Sequence, residues 1–183
     1  VGPLRESGIH ALVLHEILGF DPTKATYVME QTRAARASLS QNPILPPNRS
    51  VRIEVAAHAP HSISPELFAL LMAEGGVKSI HVAESRSEDD FLCDGSGDWR
   101  GFLDRRVGPI PFDAPNASPV QYLDSLGVLK PGLLAVHCVR VDETDAKLLA
   151  TRGAIAVLCP RSNEFLGNGV PPLALLLGNG VSI

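Results

Sequence analysis

The sequence predicts an α/β fold in which parallel strands are joined by helical crossovers. Three observations carry this. Short apolar runs alternate with helix-period segments from end to end. The runs are apolar on both faces, as strands covered by helices on a parallel sheet are. Histidines stand near the ends of three successive runs, where the chemistry of a β/α barrel is done.

The elements follow in order. ALVLHEILG (11–19) is strand-like, and TKATYVMEQTRAARASL (23–39) has helical periodicity before the breaker stretch NPILPPN (42–48). VRIEVAA (51–57) is the second strand and HAPHSI the loop behind it. Ser64-Pro65-Glu66 opens a helix with an N-cap, a proline at the first position and an acid in the first turn, and Gly75-Gly76 ends it. VKSIHVA (77–83) is the third strand. A longer excursion holds a short helix at 87–92, a break at DGSG, a second helix at 98–106 and a loop over 108–117. Ser118-Pro119 starts another helix, which Gly127 ends. LLAVHCV (133–139) is the fourth strand, Asp142 caps ETDAKLLATR, and AIAVLCP (154–160) is the fifth strand. SNEFLGNGV reads as a loop, PPLALLL (171–177) as a short helix, and VSI as the start of a sixth strand.

Composition bounds the function. The chain has 183 residues, 45% apolar and 20% charged, with a net charge of −4. Lys and Arg are scattered, which argues against a nucleic-acid-binding face. No run reaches the roughly 18 apolar residues of a membrane helix. Three cysteines without a C-x-x-C pair read as reduced thiols of a cytoplasmic protein. The chain begins at Val1 and stops inside an apolar run, so residues 1–183 are read as one domain, a piece of a longer protein. No G-x-G-x-x-G or G-x-x-x-x-G-K-[ST] stands at a strand–helix turn.

His58 follows the second strand, and His81 and His137 lie near the ends of the third and fourth. An imidazole among Val, Ile and Ala is costly to bury without partners, and metal coordination meets that cost. Glu84 is three residues past His81. In a regular strand that spacing points to opposite faces, so the two meet only if the strand ends near Val82 and the chain bends. Otherwise Glu84 caps the following helix or pairs with Arg86. His10, His15 and His61 read as structural, His61 as a loop residue open to solvent. Cys138 and Cys159 read as buried, inert thiols. Trp99 either stacks on a planar substrate or packs.

AAHAPHSISPELF, IHVAES, SPVQYLDSLGVL, AVHCV and VLCPRSN occur in one order. The set resembles the metal-dependent amidohydrolase superfamily, in its cytosine, guanine and S-adenosylhomocysteine deaminase and triazine chlorohydrolase branch. The resemblance implies an incomplete TIM-like β/α barrel, from strand three to the start of strand eight. It implies a hydrolase that uses a metal-activated water to deaminate an aminated heterocycle such as a purine nucleoside. It also implies one divalent metal ion, zinc or else iron. His81 then resembles the strand-five metal ligand, Glu84 the general acid/base, His137 the strand-six catalytic histidine, and His58 the substrate-binding histidine. The strand-one H-x-H pair and the strand-eight aspartate of the family have no counterpart in the chain, so the chain alone is expected to be inactive. A chlorohydrolase of similar mechanism and an inactive scaffold of the same fold are the alternatives. The partners expected are a small heterocyclic substrate, neither nucleic acid nor membrane, with a homo-oligomer left open.

Overall fold

The computed structural model describes residues 1–40 and 51–183. The breaker stretch expected at 42–48 lies outside the described residues. Five strands form one parallel sheet in consecutive order: β1 Ala11–Ile17, β2 Val51–Ala57, β3 Ser79–Val82, β4 Leu134–His137 and β5 Ile155–Val157. β1 pairs with β2 over its whole length, Ala11 opposite Val51 and Ile17 opposite Ala57. Each neighbouring pair is parallel, so each connection is a crossover that returns the chain to the same end of the sheet. Ser182 adds an isolated parallel bridge to Ile155, where a sixth strand was expected to start.

The crossovers are helical for the reasons read from the sequence. Helix α1 is Gly2–Ser7, which the sequence did not announce, and α2 is Ala25–Ser40. Helix α3, Pro65–Ala73, has Ser64 as its N-cap, whose side chain accepts from the Leu67 N–H. The excursion holds α4, Arg86–Asp94, and α5, Gly97–Val107, with a left-handed Gly95 between them. Helix α6, Pro119–Ser125, is capped by Ser118, and α7, Glu143–Arg152, by Asp142. One stretch differs from expectation. SNEFLGNGV was read as loop, yet Pro160–Phe165 is helix α8, followed by α9, Leu173–Gly178. Pro160 sits at the first helical position, where its fixed φ starts a helix, and the Asn163 N–H closes the turn onto the Cys159 carbonyl at 2.9 Å.

The core lies between sheet and helices. Ile80, Val82, Ala135 and Ala156 of the strands pack with Phe68, Leu71, Leu123, Leu149 and Leu176 of the helices. A second cluster, Phe20, Phe91, Leu92, Leu103 and Tyr122, fixes the excursion, with Phe91 and Phe112 stacked at 4.6 Å. Among the described residues no helix is long and apolar enough to cross a membrane.

Candidate active site

His81 pairs with Val136 across the β3–β4 ladder, and His137 pairs with Val82. Paired residues share a face, so strict alternation would send the two imidazoles to opposite sides of the sheet. The chain escapes at the strand ends. His137 has φ 78° and Cys138 φ 48°, while Ala83 has φ 52°. Left-handed backbone costs a non-glycine residue about 1–2 kcal/mol, and such residues gather at functional sites. The turn at Ala83 is the bend that Glu84 needed. Backbone bonds hold both turns: Cys138 N–H donates to Val82 O at 3.1 Å, and Val139 and Arg140 N–H donate to Ala83 O at 2.9 and 2.8 Å.

The side chains then meet. His137 Nε2 stands 3.0 Å from His81 Nδ1 and 3.5 Å from Glu84 Oε2. His137 is 5% exposed, and its Nδ1 lies 2.8 Å from Asn163 Oδ1. An amide oxygen only accepts, so Nδ1 carries the proton and Nε2 turns a lone pair to the site. Glu84 Oε1 accepts from Asn168 Nδ2 at 3.2 Å. Glu84 is therefore neither a helix cap, which is Ser85, nor the partner of Arg86, which pairs with Asp90.

One donor atom each from His81, Glu84 and His137 lies within 4.8 Å of the others. Two ligands about 2.1 Å from one tetrahedral ion stand about 3.4 Å apart. The separations of 3.0 and 3.5 Å bracket that spacing. Two imidazoles and a carboxylate are also a set that a borderline divalent ion takes, either directly or through a water that it binds. The residues therefore fit a divalent metal.

His58 joins from β2, its ring 5.5 Å from that of His81. Ser62 Oγ donates to Ala59 O at 3.0 Å, so the 2.8 Å contact is His58 Nδ1–H donating to Ser62 Oγ. The free Nε2 is left as an acceptor, and burial pulls the His58 pKa below its usual value. His61 corrects an expectation: it is buried, 5% exposed, with its ring 4.0 Å from Trp99 and both nitrogens unpartnered. Burial drives its pKa down to about 3. Trp99 thus packs on His61 and edge-on to Phe102. Cys138 is buried, with its pKa pushed up to about 12, an inert thiol as read; Cys159 is only half-buried.

Sequence reasoning missed four polar residues here. Glu16, 3.4 Å from His81 Nε2 through Oε1, follows Leu12 and Leu14 at strand period and could have been found by that alternation. Asn163 and Asn168 fell in a stretch read as loop. Glu88 lay in the short helix read at 87–92 and was not singled out.

No protein-family model matches the chain. The chain is 33% identical over 130 residues to the 5-methylthioadenosine/S-adenosylhomocysteine deaminase of Pelotomaculum thermopropionicum, covering 69% of this chain and 26% of that protein. It is 31% identical over 193 residues to the aminodeoxyfutalosine deaminase of Deinococcus radiodurans, covering 98% and 45%. Among solved structures, an adenosine deaminase from Xanthomonas campestris with bound zinc superposes with a TM-score of 0.67 at 22% identity, covering 98% of this chain and 37% of that one. The chain thus spans between about a quarter and less than half the length of the relatives it matches.

Proposed function

Because the chain belongs to the metal-dependent amidohydrolase superfamily, we propose that it supplies much of the active site of a hydrolytic deaminase acting on an adenosine-like nucleoside. The observation that carries this reading is the convergence of His81, Glu84 and His137 at the ends of adjacent parallel strands. In this reading the five strands are part of a TIM-like barrel, closed by strands from the rest of a longer polypeptide or from a partner. The share of each relative that the chain covers supports that. A cytoplasmic setting suits three free thiols.

His81 would be a direct ligand of the ion, with zinc the first candidate and iron the second; the zinc in the structurally similar adenosine deaminase favours zinc. When bound, a divalent ion makes water acidic enough to supply a nucleophile near neutral pH. His137 turns its Nε2 lone pair to the attacking water, and once protonated it stabilises the charge that develops at the tetrahedral carbon. Glu84 takes one proton from the attacking water and delivers it to the ring nitrogen beside that carbon, and the proton taken up by His137 passes to the amino group, which leaves as ammonia. Asn168 orients the Glu84 carboxylate for this transfer. His58 offers Nε2 as an acceptor to a substrate hydroxyl or amine, with Ser62 fixing its tautomer.

The test is metal analysis of the full-length polypeptide, with ammonia release from 5′-methylthioadenosine, S-adenosylhomocysteine and adenosine. The expected result is close to one equivalent of metal, and turnover that a chelator abolishes and zinc restores. A metal-free protein that gains no activity with zinc or iron would overturn the reading in favour of an inactive scaffold.

A further inference from the structure

Glu88 stands on the first turn of α4, four residues past Glu84, and is 1% exposed. Ser85 accepts its N–H at 3.3 Å, so the sequence SRSE has the form of a capping box. In that motif the carboxylate returns to the N–H of the cap residue itself. Here it reaches one residue further. Glu88 Oε2 accepts the Glu84 N–H at 2.9 Å, and the Ala83 N–H faces the same carboxyl. Its Oε1 has no partner. A cap contributes about 1 kcal/mol, whereas an unpartnered buried polar atom costs about 1–3 kcal/mol. Capping alone therefore does not account for a carboxyl sunk this deep.

The group it grips is the left-handed turn at Ala83, φ 52°. The carbonyl of that turn takes the Val139 and Arg140 N–H groups, immediately past His137 and Cys138. Carboxyl, turn and the end of β4 form one connected piece of backbone.

We propose that Glu88 is a positioning residue: its buried carboxyl oxygen holds the Glu84 N–H, and so fixes the turn that carries the Glu84 carboxylate to His137. The inference rests on the proton-transfer role given to Glu84 above. Burial pushes the Glu88 pKa up to about 8, so near neutral pH it is the uncharged acid, whose oxygen still accepts. Glutamine presents the same oxygen at the same reach; leucine fills the volume and accepts nothing. The Asp89 carboxylate, ion-paired with Arg140, and the Glu84 carboxylate supply the charges that act on it, and the Cys138 thiol is also within its reach.

The experiment compares Glu88→Leu, Glu88→Gln, Glu84→Gln and the double variant Glu84→Gln/Glu88→Leu in the metal-loaded full-length polypeptide. It reads kcat, KM, metal content and thermal midpoint. Glu88→Leu is expected to lose about 100-fold in kcat, the scale of a 1 Å misplacement. Its KM should stay within about threefold and its metal content unchanged. Glu88→Gln should stay within a few-fold of the parent. In the Glu84→Gln background, Glu88→Leu should add little further loss, because both changes act on one group. Near-parent turnover by Glu88→Leu overturns the inference, as does an equal kcat loss in the Gln and Leu variants. A Glu84→Gln enzyme that still turns over overturns the underlying role of Glu84 instead. If Glu88→Leu does not fold, Glu88→Asn, one methylene short of the Glu84 N–H, replaces it against Glu88→Gln with the same expectations.

Discussion

The turn after β2 and the turns after β3 and β4 all bring histidine to one site, by opposite means. The β2 turn is relaxed. His58 continues the strand, Ala59 is fully extended, and Gly19 locks the loop through bonds to Ser62 and Ser64 at 3.0 and 2.8 Å. The β3 and β4 turns carry left-handed Ala83, His137 and Cys138. The difference follows the work assigned to each. A residue proposed to hold substrate tolerates an ordinary loop; groups that must converge on one ion and its bound water are worth a few kcal/mol of backbone cost. The buried titratable groups differ as well: burial lowers the His61 pKa to about 3 at the relaxed turn and raises the Glu88 pKa to about 8 at the strained one.

The comparison breaks most visibly at the strained ends. His81→Ala should lose both metal and turnover, read by metal analysis and steady-state kinetics. Glu84→Gln should keep metal and lose about 10³-fold or more in kcat, because an amide cannot carry the proton. Across the divide, His58→Ala should raise KM about 10-fold to 100-fold, the worth of a hydrogen bond or two, with metal retained. Should His58→Ala lose metal and His81→Ala keep it, the division of labour is reversed.

The two turns should also respond to pH with opposite sign. His61 binds its proton only near pH 3 when folded but near 6.5 when unfolded. The unfolded state therefore takes up the proton first, and stability falls as pH drops from about 6.5 toward 3. Glu88 loses its proton near pH 8 when folded but near 4.5 when unfolded. Stability therefore falls as pH rises from about 4.5 to 8 and levels above that. Each is worth up to a few kcal/mol. Urea melts across this range should show His61→Phe flattening the acid limb and Glu88→Gln the alkaline limb. Parallel curves for parent and variant would remove that assignment. The smallest effect is reserved for Ser62→Ala, which frees the His58 tautomer and should raise KM only a few-fold while leaving kcat unchanged.

Sheet order and most caps were legible, because apolar runs, Ser-Pro starts and terminal glycines are local signals. The ends of strands were not: 77–83 and 133–139 were expected, whereas β3 and β4 stop at Val82 and His137. Nothing in HVAES or VHCV announces a left-handed alanine, histidine or cysteine, since that conformation is imposed by hydrogen bonds from the neighbouring strand. His61 was misjudged for a related reason. Its burial depends on Trp99, 38 residues further on, packing back over the loop. Glu84 and His137 were singled out by their positions and do lie together, but the residues that bond to them, Glu88, Asn163 and Asn168, were hidden in residue types common on any surface.

The pairing of His137 with Val82 also bears on transplanting this site. Copied at the same register onto a pair of ideal, evenly pleated strands, His81 and His137 would stand back to back with the sheet between them, and no choice of rotamer would reunite them. A scaffold must reproduce the reversal of backbone handedness at the strand tip, or shift one strand by a residue. The unit to be moved is thus the tip with its carbonyl clamp, rather than the list of ligands.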